Sequence, residues 1–257
     1  MSSELEKFIA TVARLRAPGG CPWDREQTHK TILSCLLDET YEFFEAVENN
    51  DDHAMREELG DLLLQVVLHA QIAKDNGTFT LDDVAADINE KLIRRHPHVF
   101  GDVEVSSTND VLKNWEAIKK IEKTHRKYLV DDIPEALPAL FRAEKIQRRV
   151  ARAGFDWPDI NPVLDKVEEE FREFREAIRN NDAVNAEEEL GDILFALVNV
   201  ARHKKICAED ALRLTIKKFA RRFSYIEDRY AEQGRDIMKA SLEDLDVYWE
   251  ESKKTVG

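Results

Sequence analysis

Lys166-Val-Glu-Glu-Glu170-Phe-Arg-Glu173-Phe-Arg-Glu-Ala-Ile178, a polar hinge at Asn180-Asn181-Asp182, and Glu187-Glu188-Glu189-Leu-Gly-Asp192 decide how this chain folds. Leu164, Val167, Phe171, Phe174 and Ile178 recur at steps of three and four, the period of an amphipathic helix. Leu190, Ile193, Leu194, Leu197, Val198 and Ala201 repeat that period after the hinge. The acids fall in unexpected places. Glu170 sits inside the apolar stripe, Glu189 shares a face with Ile193, and Asp192 flanks that stripe one turn along. A carboxylate on a core face costs on the order of several kcal/mol unless something compensates it. Glu170 with Glu173, and Glu189 with Asp192, are each three residues apart and project together from their helices. If the hinge folds the helices antiparallel, four carboxylates converge. Hard divalent cations with oxygen ligands, Mg²⁺ above all, are held in this way.

The chain contains this pattern twice. Glu39, Glu42, Glu58 and Asp61 precede Glu170, Glu173, Glu189 and Asp192 by a constant 131 residues. An isolated Glu-x-x-Glu usually marks a solvated helix face; a duplicated four-acid pattern in phase with the core stripe does not. Gly60 and Gly191 also correspond. A glycine inside a helix costs roughly 0.5–1 kcal/mol relative to alanine, so both positions predict close backbone approach.

Composition limits the alternatives. The 257 residues suit one large or two modest domains, and with only 9 glycines, 7 prolines and no β-branched alternating runs the chain reads as all-α. A net charge of −14 argues against direct nucleic-acid binding but leaves room for a small anionic substrate carried by a metal. Cys21, Cys35 and Cys207 are odd in number and widely spaced, as free thiols of a reducing compartment are. The start of the chain lacks a signal-peptide apolar segment. The longest apolar run, Ile193 to Val198, is too short to span a bilayer. The expectation is a cytoplasmic, soluble protein with no membrane partner.

In chain order, helical patterns cover about 4–17, 28–49, 52–75, 80–96, 108–125 and 137–152, before the acidic pair. Cys21-Pro22-Trp23-Asp24 and Phe155-Asp156-Trp157-Pro158 read as aromatic turns, and 98–109 reads as a loop. Lys218, Arg221 and Arg222 share one helical face and match Lys91, Arg94 and Arg95 at an offset of 127. The four-residue change in offset falls in the Asp75-Asn76-Gly77 loop. Trp249 with Lys253 and Lys254 echoes Trp115 with Lys119 and Lys120 at an offset of 134. The organisation expected is therefore two tandem helical domains, 1–125 and 137–257, joined by a linker at 126–136. A lone basic face is usually solvated. Recurring beside the same acids, it points to phosphate. Mg²⁺ typically combines a few carboxylates with substrate phosphates, so a polyphosphate substrate is expected. No nucleophile triad and no Walker glycine loop is present, and displacement at phosphorus needs charge neutralisation and positioning more than a protein nucleophile.

The doubled Glu-x-x-Glu and Glu-x-x-Asp pattern, Cys21-Pro22-Trp23-Asp24 and Arg94-Arg-His-Pro-His-Val-Phe-Gly101 closely resemble the MazG family of nucleoside triphosphate pyrophosphohydrolases. The resemblance runs essentially end to end. It implies an all-α NTP pyrophosphatase fold, a helical bundle completed by homodimerisation, and Mg²⁺-dependent hydrolysis (Mn²⁺ substituting) of NTPs or dNTPs to NMP and pyrophosphate. Family metal ligands fall on Glu170, Glu173, Glu189 and Asp192, with a second, weaker set at Glu39, Glu42, Glu58 and Asp61. Nucleotide-contacting segments fall on Lys166 to Glu170, on the acidic turn ending at Glu188, on Lys218 to Arg222, and on Trp249. The attacking water would be activated by the metal, with Glu169 a candidate base. The first repeat departs from the second: Cys35 replaces Lys166, Arg56 replaces Glu187 and Asp38 replaces Glu169. The second repeat is therefore expected to carry most of the catalysis.

Two other classes compete. A di-iron helix bundle needs inward Glu-x-x-His motifs, and Glu26/His29 and Glu122/His125 have that spacing, but in polar stretches away from the acids. A non-catalytic helical interaction module leaves acids on the core face unexplained. His69, His96, His98 and His203 read as structural, and Trp249 as either a base-stacking or a packing residue.

Overall fold

The structure is a computed structural model and describes residues 3–122 and 127–256. The regular elements among them are all helical. The chain divides into two compact units, residues 1–124 and 125–257. The first contains α1 (Glu4–Arg16), α2 (Pro22–Glu26), α3 (Leu33–Asn49), α4 (Asp52–Asp75), α5 (Leu81–Arg95), α6 (Pro97–Phe100) and α7 (Thr108–Glu122). The second contains α8 (Ala139–Ala151), α9 (Asn161–Arg179), α10 (Ala183–His203), α11 (Ala208–Glu232) and α12 (Leu242–Thr255).

Each unit is built on a helical hairpin whose turn chemistry is local. Asn50 and Asn181 take the left-handed conformation (φ 52° and 53°), which asparagine tolerates better than most residues. The next residue caps the following helix: Asp51 accepts from the His53 and Ala54 amides, and Asp182 from Asn185. These short connections fold α3 back against α4, and α9 against α10. The core of the first unit gathers Val12, Ile32, Val67, Leu68 and Ile72, with Phe8, Ile9, Leu64 and Leu81 packed on it. In the second unit Val163, Ala177, Ile193, Ala196, Val198, Ile226 and Tyr230 are buried.

Five expectations need correction. Pro22–Glu26 is a short helix, and Pro97–Phe100 forms a helical turn inside the expected loop; both open on a proline, whose fixed φ suits the first helical turn. Residues 28–32 precede α3 rather than beginning it, because Thr28 and Thr31 exchange side-chain and main-chain hydrogen bonds there. The apolar stripes are only partly core. On α9, Val163, Glu170 and Ala177 are buried, while Leu164, Phe171 and Ile178 are exposed. On α10, Leu190, Leu194 and Leu197 are exposed, as are their counterparts Leu59, Leu63 and Val66 on α4. A hairpin has two broad faces, and its own unit covers one. Gly60 and Gly191 border that open side, and a Cβ at either would meet nothing within 4 Å, so no close approach of the backbone occurs there.

The expected junction at 125–126 lies outside the described residues. The chain from 127 to 136 is irregular. Asp131 accepts from the Lys127 and Tyr128 amides, and the Arg149 side chain donates to the Leu129 and Asp131 carbonyls.

Candidate active site

The hairpin of the second unit brings Glu170 and Glu173 of α9 against Glu189 of α10, and one carboxylate oxygen from each lies within 4.8 Å of the others. Glu170 is only 5% exposed. Its compensation is Lys166, one turn earlier, whose Nζ stands 2.8 Å from Glu170 Oε1 and 2.9 Å from Glu169 Oε1. The bond to Glu170, then that to Glu169, raises the lysine's pKa, while Lys166 draws the Glu169 carboxyl below its ordinary value. Glu189 has no such cation. Desolvation, then the charges of Glu173, Glu170, Asp192 and Glu188, pushes its carboxyl upward.

Asp192 stands apart from the tight group of three and instead lines a cavity of about 250 Å³ with Lys166, Glu170, Trp157, Val163, Phe195, Ala196 and Asn199. Glu173 and Glu189 line a second cavity, of about 170 Å³, beside the hinge. The acids thus lie between two openings. The first unit has the corresponding group in a different selection, Glu39, Glu58 and Asp61, with Glu42 outside it. Burial and then the neighbouring acids raise both Glu39 and Glu58. Cys35 occupies the position equivalent to Lys166. In both units the donors are all oxygens, and carboxylates with elevated pKa values are crowded together. A hard divalent cation would relieve that repulsion, so the residues fit Mg²⁺.

The remaining expected residues form their own group. Arg222 of α11 places its guanidinium 5.8 Å from the Trp249 ring centroid, and Trp249 packs on Phe219 at 5.1 Å. Lys218 and Arg221 lie exposed on the same helix, and Glu188 is exposed on α10. Lys166 is set directly against the acids, paired with Glu170 and Glu169. The cavity wall holds residues that acid spacing does not reveal. Arg202 donates to both Asp156 carboxylate oxygens, and its Nε donates to Asn199 Oδ1 at 2.9 Å. Arg202, with His203, holds the Asp156 carboxyl below its usual pKa. These bonds fasten the Phe155–Pro158 turn to α10 and set Trp157 in the cavity wall. The sequence signal was the aromatic turn, without its arginine partner.

Among the described residues the di-iron pattern is not assembled. His29 stacks on His69 with ring centroids 5.2 Å apart, Glu122 is bonded to two arginines, and His125 lies outside the described residues. His96 packs edge-on against Trp115, and His203 approaches Asp156 at 3.2 Å.

Residues 27–100 and 161–226 match the family model of the MazG nucleotide pyrophosphohydrolase domain, and these segments contain both acid sets and both basic faces. The nucleoside triphosphate pyrophosphohydrolase of Escherichia coli K12 is 44% identical over 257 residues, covering 98% of each chain. The Thermotoga maritima protein named nucleoside triphosphate pyrophosphohydrolase/pyrophosphatase MazG is 45% identical, covering 96% of this chain and 95% of its own. YabN of Bacillus subtilis is 51% identical across 98% of this chain, which spans 52% of the length of YabN. With two matched domain segments and relatives that align along nearly the whole chain, this protein belongs to the MazG family of nucleoside triphosphate pyrophosphohydrolases.

Proposed function

We propose that the second unit hydrolyses nucleoside triphosphates between the α and β phosphates, yielding NMP and pyrophosphate, with Mg²⁺ held by Glu170, Glu173, Glu189 and Asp192. The observation that carries this reading is the buried Glu170 grouped with Glu173 and Glu189 beside a lysine. When bound, Mg²⁺ (or Mn²⁺) neutralises charge on the phosphate oxygens and acidifies the attacking water. Lys166 is placed to swing from Glu170 to a phosphate once the acids share a cation, and Lys218, Arg221 and Arg222 supply further positive charge. Glu169 stays ionised against Lys166, and its lowered pKa makes it a weaker base than a free carboxylate. A positioning role suits it better. Nucleotide enters near Glu188, and Trp249 stacks on the base or braces Arg222.

The working organisation is a domain at 1–125, a linker at 126–136 and a catalytic domain at 137–257. A homodimer covers the exposed stripes Leu190, Leu194, Leu197 and Leu59, Leu63, Val66, since contiguous apolar faces of this kind are seldom left in water. Among the described residues no helix is long and apolar enough to cross a membrane. Cytoplasmic residence agrees with the three free thiols and with a nucleotide-pool substrate.

A panel of NTPs and dNTPs assayed with Mg²⁺ tests the proposal. Activity is expected to fall to background in EDTA and to return with Mg²⁺; full turnover in EDTA would refute the metal site. Acidity supplies a second check. Because the Glu189 pKa is raised on folding, its favourable contribution belongs to the protonated form and is lost as pH rises through the folded value. Above that folded value the ionised acids repel one another, and a bound cation gives relief. The rise in Tm on adding Mg²⁺ should be larger near pH 8 than near pH 5. An equal rise at both would contradict the carboxylate site.

A further inference from the structure

The two units carry the same arginine–tryptophan pairing. Arg95 of α5 has its guanidinium 5.3 Å from the Trp115 ring centroid on α7, and Arg222 of α11 stands at 5.8 Å from Trp249 on α12. Helix capping fixes the register between α7 and α12. Ser107 accepts from the Asp110 amide, and Ser241, 134 residues on, accepts from the Asp244 amide, both at 3.2 Å. One position in that register differs in kind. The described part of α7 reaches Glu122, whereas the residue 134 further along is Val256.

Glu122 spans both arginines of its unit. Arg94 Nε donates to Oε1 at 2.8 Å, while Arg95 donates to Oε2 from Nε at 3.0 Å and from Nη2 at 2.5 Å. Side-chain exposure is 17% for Glu122 and 14% for Arg95. Planar guanidinium forks grip carboxylates and phosphates with the same geometry. The bonds from Arg95 and then Arg94 hold the Glu122 carboxyl down to about 2, so it is anionic at any working pH. In the second unit the residue of the same register is Val256, just past the end of α12, and Arg222 Nε is buried without a hydrogen-bond partner.

We propose that Glu122 is a built-in anion occupying the basic seat of the first unit, where it keeps nucleoside triphosphates from binding. This rests on reading the two basic faces as phosphate clamps. A tethered carboxylate competes at an effective concentration of at least about millimolar, so a dissolved triphosphate must displace a ligand that never leaves. Glu122 thereby adds to the departures at Cys35, Asp38 and Arg56 and acts at the other end of the triphosphate. It would let this unit keep four acids and the arginines Arg94 and Arg95 and still bind no triphosphate.

Calorimetric titration of the full chain with α,β-methylene-ATP and Mg²⁺ tests this, because the carbon bridge resists cleavage. The wild type should bind one analogue per chain. Glu122→Val, which restores the residue of the other unit, should open a second site tightened by at least about tenfold. Glu122→Gln keeps the shape, guards against loss of folding, and should do the same. Adding Arg94→Ala and Arg95→Ala to Glu122→Val should return the count to one. A count of one in both folded Glu122 variants, or two in the wild type, overturns the proposal. Lys218→Ala with Arg222→Ala separates it from its premise: if the wild-type site survives that pair intact, the clamp reading itself fails.

Discussion

Replacing Glu189 with glutamine is expected to lower NTP hydrolysis by roughly 10²–10³-fold, the usual effect of removing one group that stabilises transition-state charge. Glu58→Gln, the same change in the first unit, should leave most of the activity. The comparison is like for like, since both residues belong to the tight group of three in their own unit and both carry a raised pKa. Glu173→Ala should likewise abolish turnover and Glu42→Ala should spare it, but Glu42 stands outside its group, so that pair is less balanced. The expected asymmetry has its main source in the cation beside the acids. Lys166 faces Glu170 in one unit, and Cys35 leaves the equivalent place without a cation in the other. Sites of this kind depend on charge placed to within about an ångström. Steady-state rates of the purified variants decide the matter. Greater damage from Glu58→Gln would assign catalysis to the first unit.

A pair of aspartates in the exposed stripes, Leu63→Asp with Leu194→Asp, is expected to convert the proposed homodimer into single chains. Both leucines are more than two-fifths exposed, so neither change cuts the core of its own unit. Burying each unpaired carboxylate in an apolar contact would cost roughly several kcal/mol, enough to weaken association by about 10²-fold or more. Light scattering at micromolar concentration should report twice the 29.7 kDa chain mass for the wild type and the chain mass for the variant. A wild type at the mass of one chain removes the dimer.

Much of this fold is written locally. The span expected at 52–75 is the observed α4, because Asp51 caps its start and Asn76-Gly77 ends it. The acids of α9 and α10 meet because Asn181 and Asp182 make a hairpin that needs no distant partner. Side-chain placement beyond that is tertiary. Periodicity grouped Phe171 with Phe174, but which half of a wide apolar stripe becomes core depends on the helices that pack against it. The same limit hid the departure of Asp192 from the tight group and the tie from Arg202 to Asp156 that sets Trp157 in the cavity wall. Glu122 looked like half of an iron motif, and only the folding of α5 against α7 shows it answering two arginines.

On the proposed reading, a water acidified by the bound metal cleaves between the α and β phosphates, and pyrophosphate departs as one piece. The decisive measurement is the fate of two labels in ATP hydrolysed with Mg²⁺, one on the α phosphate and one on the γ phosphate. The α label should appear in AMP and the γ label in pyrophosphate, from the first turnover. The γ label emerging as orthophosphate while the α label stays in ADP would contradict this reading of the site.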